Sequence, residues 1–431
     1  MEVKEMSRRI VVDSDIEALP RIQRMWELAD ENNKSKQHPA DFPAMAEIPV
    51  GRYTRQDFFE IENTAIWKQS WLLAGFVDEF AKPGSFKTTT IADVPVVLVR
   101  DDKGAINAFY NVCQHRGSKL IKAAGGVQPN LTCGYHCWTY NLQGELKFVP
   151  DEHDFPGLDK GGKSLRSIRC EKFGAIIFIN FDEDAAPLQD FLGVLGSAIG
   201  DVPMDRVRLY KSVSRELPVN WKAVLDNFAE NYHVKFVHTH TLHPLVDSKV
   251  AARQCLSNGH SALTIKPRTA SAIGSVVKSD GLAPADSSGM KEVTSISQRA
   301  YTLFPNVSIT VTESLLFVLS IWPVSVNQTR ADGYFLSISR TGEDPEATAK
   351  AAAEAGEAGV QFFSAVMQQD LDAMEQMQEA MSSGGIEKIR LGYKEQQIYN
   401  YNLEFDRLIG KNNIPDGLEV EDVGLPIIVT A

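Results

Sequence analysis

Two cysteines and two histidines fall in two short groups within the segment NVCQHRGSKLIKAAGGVQPNLTCGYHCW, from Asn111 to Trp138. One residue separates Cys113 from His115, two separate Cys133 from His136, and 17 lie between the pairs. Two thiolates and two imidazoles presented by two tight loops make a four-ligand metal site, suited to zinc or to a [2Fe–2S] centre. The order C-x-H…C-x2-H favours the iron–sulfur reading. Zinc modules group Cys with Cys and His with His, whereas here each loop supplies one of each. That is what a cluster with two Cys on one iron and two His on the other requires. Small residues beside the ligands, Gly117 after Arg116 and Gly134 between Cys133 and His136, let backbone N–H groups approach the cluster sulfurs.

A second chemical stretch begins at Asn220, NWKAVLDNFAENYHVKFVHTHTLHP. As far as Tyr232 its pattern is helical, with Leu225, Phe228 and Tyr232 on one face and Asp226, Glu230 and His233 on another. Four histidines follow closely: His233, His238, His240 and His243. Spacing alone does not choose among them as metal ligands. His233 and His240 would share a face of a continuing helix, whereas His233 and His238 lie about 140° apart on a regular one. The latter two can meet one metal only if the helix distorts or ends between them. A third ligand should be acidic, because a set of two His and one carboxylate leaves coordination positions open for oxygen chemistry on Fe(II). In the helical segment Asp344 to Ser383 an apolar row runs Val360, Phe363, Met367, Asp370, Met374, Met377, Met381. A carboxylate inside such a seam needs a partner, either a metal or a buried Arg or Lys. Asp372, Glu375 and Glu379 lie off the row and read as solvated.

The elements that must position these groups read as follows. Residues 1–50 form an arm: Asp13-Ser14-Asp15 offers helix caps, Ile16, Leu19, Ile22, Met25 and Leu28 recur at helical spacing, and 32–49 is a polar, proline-rich linker. The helix covers its own subunit or a neighbour. Residues 51–184 read as a helix, Tyr53 to Gln69, and then a small antiparallel β domain, in which Trp71–Val77, Val94–Val99, Ala108–Val112 and Gly174–Phe181 alternate with turn signals. Residues 185–431 hold the second metal site. There Ser261–Lys266, Val307–Val311, Leu315–Trp322 and Gly333–Ile338 read as strands of a curved antiparallel sheet with the long helix of Asp370 across it. The fold class is α+β. The tail after Gly410 carries no assignment, and Cys137 reads as a packed small hydrophobe.

Composition narrows the setting. A chain of 431 residues, 43% hydrophobic and 23% charged, is ordinary for a globular protein of two or three domains. A net charge of −12 argues against nucleic acid or an anionic membrane as partner. The start MEVKEMSRRI lacks the apolar core of a signal peptide, and the apolar stretch Ser314 to Val326 is too broken and short to span a bilayer. Cys137, Cys170 and Cys255 show no disulfide pattern, which points to a reducing cytoplasm. No nicotinamide or flavin motif is apparent.

From Tyr53 to Leu408 the chain resembles the large, catalytic alpha subunits of Rieske non-haem iron oxygenases, the ring-hydroxylating dioxygenase family. The resemblance rests on NVCQHRG, CGYHCW, NWKAVLDNFAENYHVKFVH and the pattern of Asp370, Glu375 and Gln378. It implies a helix-grip catalytic domain after the Rieske domain. It implies a Rieske [2Fe–2S] cluster on Cys113, His115, Cys133 and His136, and a mononuclear Fe(II) on His233, His238 and Asp370. Asn227 becomes a neighbour of that iron, and Glu230 an acidic bridge toward the cluster of the next subunit in a head-to-tail homotrimer, with or without a small beta subunit. NAD(P)H-derived electrons would arrive through a separate reductase, with or without a ferredoxin, to drive O2-dependent hydroxylation of a small, aromatic organic molecule. Respiratory Rieske proteins add a disulfide between the loops; Ser118 and Tyr135 stand in its place, which implies a lower-potential cluster. Glu at 230, where many members carry Asp, is similar to homotrimeric subgroups, some acting on quaternary amines. Demethylation or quaternary-amine oxidation is therefore the alternative chemistry. A non-catalytic electron carrier or a zinc-stabilised binding module is the alternative class, and neither requires the second set of ligands.

Overall fold

The computed structural model describes residues 10–429 apart from 14, 41, 270–291, 313–314, 340–341 and 356. The opening residues 1–9 and the expected cap Ser14 lie outside the described residues. The chain divides into two compact units: Trp67–Leu188, and Met1–Ile66 together with Gln189–Ala431. The helical segment 51–66, expected with the smaller domain, thus lies in the larger one. A fully buried ion pair explains its place: Lys222 Nζ is 2.7 Å from Glu62 Oε1, both side chains 0% exposed.

The smaller unit is built on a seven-stranded antiparallel sheet. Its order is Leu72–Phe76, Ile176–Asn180, Ser167–Phe173, Ile106–Tyr110, Val94–Arg100, Ser85–Ile91, Gly125–Val127. Every residue of Ile176–Asn180 is buried, as its unbroken apolar run demands of a strand covered on both faces. Ser85–Ile91 and Val94–Arg100 are joined by Ala92-Asp93, both with positive φ (48° and 62°), the turn geometry that follows the twist of a tight hairpin. A second, three-stranded sheet runs Leu146–Phe148, Thr139–Tyr140, Leu131–Thr132. Val97, Val99, Phe109, Leu131, Trp138 and Tyr140 form one core that extends beneath Cys113 and Cys133.

In the larger unit six consecutive strands, from Val246–Cys255 to Gln328–Ile338, form an antiparallel meander. Val207–Leu217 completes the sheet by pairing with Gln328–Ile338. The apolar stretch weighed as a membrane span is the strand Leu315–Ser325, and no helix among the described residues is long and apolar enough to cross a membrane. The segment from Asp344 forms two helices, Pro345–Ala355 and Glu357–Ser382. The second lies on the sheet face: Phe363 stacks on Phe317 at 5.0 Å and meets Phe335 edge-on at 5.7 Å. This is the expected helix-grip arrangement. The buried stripe of that helix is rotated toward Leu371 and Gln378, so Met377 is exposed while Gln378 turns inward to accept from Asn220 N at 2.9 Å. Asp372, Glu375 and Glu379 are exposed.

The arm folds back on its own unit. Helix Leu19–Ser35 buries Ile22, Trp26 and Ala29 against Val250, Ala252 and Val293, and Trp26 Nε1 donates to Thr264 O at 2.9 Å. Leu28, expected on the buried face, is exposed, because Trp26 and Ala29 set the contact stripe instead. The tail, without assignment from sequence, contributes Ile427–Val429, which pairs in parallel with Ile10–Val12.

Candidate metal centres

The two cluster loops of the smaller unit have the same backbone construction. In the first, Cys113 N donates to Ser118 O (2.8 Å) and Gly117 N to Cys113 O (3.0 Å). In the second, Cys133 N donates to Trp138 O (2.9 Å) and Cys137 N to Cys133 O (3.0 Å). Each loop therefore turns through a left-handed residue at its fifth position, Gly117 with φ 74° and Cys137 with φ 56°. Cys137 is exposed rather than packed, since this turn directs its side chain outward. Its thiol lies apart from the core that holds Cys113 and Cys133.

Those two sulfurs are buried, at 2% and 1% exposure, while His115 and His136 are half-buried at the rim with ring centroids 4.7 Å apart. All five cysteines are free, so no disulfide braces the loops. Other side chains fix the site. Tyr140 OH lies 3.4 Å from Cys113 Sγ and accepts from Gln114 N at 3.0 Å. Trp138 stacks on His115 at 4.7 Å and 9°, Tyr135 lies 3.8 Å from His136, and Arg116 lies over the Tyr135 ring at 5.8 Å. Burial pushes the Cys113 thiol up, and the adjacent Cys133 adds to this. Burial, then His136 and Arg116, hold His115 below the usual imidazole range. Two buried thiols behind two half-buried imidazoles are the donor set that a [2Fe–2S] cluster with mixed ligation needs. The sequence did not single out Tyr140 for a role beside the metal, although it follows Cys133 by seven residues in the same hairpin.

In the larger unit Asn220 starts the helix Trp221–Ala229, its side chain accepting from Lys222 N at 3.0 Å. The helix stops at Ala229, three residues earlier than the periodicity predicts. Glu230 is extended (φ −133°, ψ 174°), and its carboxylate accepts from the N–H groups of Tyr232 and His233 at the head of a short helix, Val234–Val237. The expected stripe of Asp226, Glu230 and His233 is thereby broken. Asp226 turns away to Tyr53 OH, at 2.8 Å, and burial pushes its carboxyl up to about 8. The interruption brings His233 and His238 together across the turn, ring centroids 5.2 Å apart.

Asp370 arrives from helix Glu357–Ser382. One ligand atom from each of His233, His238 and Asp370 lies within 4.8 Å of the others. Asp370 Oδ1 is 2.9 Å from His238 Nε2 and 3.6 Å from His233 Nε2. His240 is exposed, and His243 is occupied by Arg268, whose Nε donates to His243 O at 2.7 Å. The far nitrogens of the two converging rings are engaged. His233 Nδ1 meets the Glu230 carboxylate, and His238 Nδ1 donates to Gln369 Oε1 at 2.8 Å. Thr241 Oγ1 donates to the same amide oxygen at 2.9 Å. Burial alone would lower His233; the hydrogen bond and charge of Glu230, then Asp370, outweigh it and hold the ring above its usual range.

This arrangement tests whether a metal fits. With its proton on Nδ1, His238 presents a lone pair at Nε2, 2.9 Å from a carboxylate oxygen that has no hydrogen-bond partner. Two acceptors face each other in a buried place, and a cation between them resolves the conflict. Asn227, Glu230 and Asn231 border the same cavity of about 90 Å³, whose other walls include Phe228, Leu263, Phe317 and Phe363. Gln369 and Thr241 went unnoticed in the sequence, because their relation to His238 exists only once helix and turn are docked.

Each of the two units matches a known domain. Residues 70–166 match the Rieske [2Fe-2S] domain, and residues 204–411 match the ring hydroxylating alpha subunit catalytic domain. The chain is 33% identical over 202 residues to the glycine betaine monooxygenase oxygenase subunit of Chromohalobacter salexigens, 46% of this chain and 45% of that protein. It is 32% identical over 208 residues to the carnitine monooxygenase oxygenase subunit of Acinetobacter baumannii, 46% of this chain and 56% of that one. The alpha subunit of biphenyl 2,3-dioxygenase of Rhodococcus jostii is 34% identical over 215 residues, 46% of each chain. The matched region spans about half the length of these curated relatives. In fold, the chain is similar to a quaternary ammonium Rieske monooxygenase solved with L-carnitine, with TM-score 0.69 and 23% identity over 86% of this chain and 98% of the other. It is equally similar to naphthalene 1,2-dioxygenase from Rhodococcus sp. bound to indole, with TM-score 0.69 and 19% identity over 91% and 98%. The chain thus carries a Rieske domain followed by the catalytic domain of ring-hydroxylating alpha subunits.

Proposed function

We propose that the chain is the terminal component of a Rieske oxygenase, with Cys113, His115, Cys133 and His136 holding the cluster and His233, His238 and Asp370 holding a mononuclear Fe(II). The observation that carries this is the buried confrontation of Asp370 Oδ1 with His238 Nε2. When bound, the iron supplies O2 activation and the cluster supplies single electrons to it. The chain's own residues do the rest. Glu230 orients His233 through Nδ1, while Gln369 and Thr241 keep the His238 proton on Nδ1 and leave Nε2 for the metal. The apolar walls exclude bulk water and seat the substrate beside Asn227. Electrons come from NAD(P)H through a separate reductase, with or without a ferredoxin, and the working assembly is a cytoplasmic homotrimer.

We propose a neutral, aromatic or similarly apolar substrate. Carnitine and glycine betaine, which give two relatives their names, each carry a carboxylate. Among the described residues lining the catalytic cavity there is no Lys or Arg to meet one. Three phenylalanines, Phe228, Phe317 and Phe363, stand there instead.

Two measurements test this. The purified chain should contain about three irons and show Rieske absorption bands. His233→Ala should keep the bands, fall to about two irons and lose turnover. Asp370→Ala should do likewise, whereas Asp372→Ala, at an exposed residue bonded to Gln368, should change little. Equal losses in the two Asp variants with iron intact would remove Asp370 as a ligand. With a matched reductase, O2-dependent products from indole or naphthalene but none from carnitine or glycine betaine are expected, and the reverse pattern would overturn the substrate assignment.

A further inference from the structure

The roomiest of the cavities described is not the catalytic one. A cavity of about 640 Å³ lies between the end of helix Leu19–Ser35, the strand Val246–Cys255 and the segment 390–395. Five cations line it, Lys36, Lys249, Arg253, Arg390 and Lys394, against the single acid Glu395. On a chain of net charge −12 this is a local reversal of sign. Arg253 is the buried member at 6% exposure. It donates to Ala251 O (3.2 Å) and to Asn231 Oδ1, and its Nε has no partner among the described residues. A guanidinium buried this deeply is stabilised by negative charge brought close to it. Lys394 lies 5.9 Å from the Tyr232 ring and is held down to about 8, by its partial burial first and then by Arg253, Lys235 and Lys249. Asp247 acts the other way on Lys394, and Glu230 on Arg253, without cancelling the excess. The exposed Arg390 reaches Glu47 at 3.7 Å, so it is the least committed to the cavity.

We propose that this cavity is a second binding site, selective for a small multivalent anion bearing carboxylate or phosphate groups. Arg253 supplies fixed positive charge from the floor, and Lys249 and Lys394 supply charge from the walls. The site also has a route to the metal centre. Arg253 holds Asn231, which borders the catalytic cavity, and Tyr232, on the wall of the anion cavity, donates its N–H to Glu230. Residues 230–233 thus form the partition between the two cavities. The proposal concerns binding and holds whatever the catalytic substrate is.

The test is calorimetric titration of the full, cluster-loaded chain with citrate and separately with inorganic phosphate. Ionic strength is held constant with sodium chloride. Saturable binding near one anion per chain is expected, and the stronger of the two names the preferred chemistry. Lys249→Gln combined with Lys394→Gln should weaken binding at least tenfold while the cluster absorption and melting temperature stay unchanged. If that pair fails to fold, Lys36→Gln combined with Arg390→Gln, both at the cavity mouth, should weaken it about threefold by charge alone. Heats that track ionic strength without saturation, or binding that survives the folded variants, would overturn the site.

Discussion

Cys137 occupies a left-handed backbone position that the matching loop gives to Gly117. An L-residue there costs about 1–2 kcal/mol, and glycine's extra chain entropy offsets about 0.5–1 kcal/mol of that. Cys137→Gly should therefore raise stability by about 0.5–1 kcal/mol with the cluster spectrum unchanged; a lower denaturation midpoint would show that the exposed thiol makes a contact of value. His260 supplies a second prediction at this scale. Its Nε2–H donates to Phe191 O at 2.8 Å and its Nδ1 accepts from Phe304 N at 3.0 Å, so the folded chain holds the neutral ring. Burial pushes it down to about 4, well below its unfolded value. The unfolded chain binds this proton first as pH falls. The stabilisation is thus complete above about pH 6.5 and is lost as pH drops toward 4, by about 3 kcal/mol in all. Urea midpoints between pH 7 and 4 should fall less steeply in His260→Gln than in the parent, and parallel curves would refute the assignment. Residues of this kind were invisible in the sequence. The Cys113/His115 and Cys133/His136 pairs were legible because each is local in sequence, but a lone buried histidine has partners scattered over more than a hundred residues.

Elements were legible where apolar periodicity was strong and obscured where edges are charged. Val207–Leu217 went unread as a strand because VRLYKSVSREL carries Lys and Arg along an exposed sheet edge, the usual defence against edge-to-edge pairing. Val246–Cys255 went unread because the arm helix, distant in sequence, covers it. The catalytic helix was found from its apolar row, yet its rotation depended on the sheet beneath. Phe317, Phe363 and Met367 line both the catalytic cavity and an adjoining one of about 30 Å³. They act as the wall between the two. Phe363→Ala should merge these spaces and shift the product profile toward larger substrates, with a stability loss smaller than the ~3–5 kcal/mol of a fully buried phenylalanine because Phe363 is half-buried. An unchanged size preference would mean that the substrate never reaches that wall.

At the scale of the whole molecule, the proposed homotrimer makes a claim about which cluster serves which iron. A chain with His136→Ala and one with His233→Ala should each be inactive alone. Assembled at random in equal amounts, about a quarter of the cluster–iron pairs should be intact if electrons cross between subunits. Mixed trimers that hold their remaining metals and show no turnover would exclude that route. The parallel pairing of Ile10–Val12 with Ile427–Val429 bears on how the chain reaches its fold at all. The larger unit is discontinuous and joins segments on either side of Trp67–Leu188. Ile10–Val12 must wait for Ile427–Val429, and the arm helix for Val250, Ala252 and Val293, whereas Trp67–Leu188 contains all its own strands. During translation the iron–sulfur unit can therefore mature on the ribosome while the larger unit is still open. Under the proposed function, the unit that would hold the cluster is complete before the unit that would hold the iron.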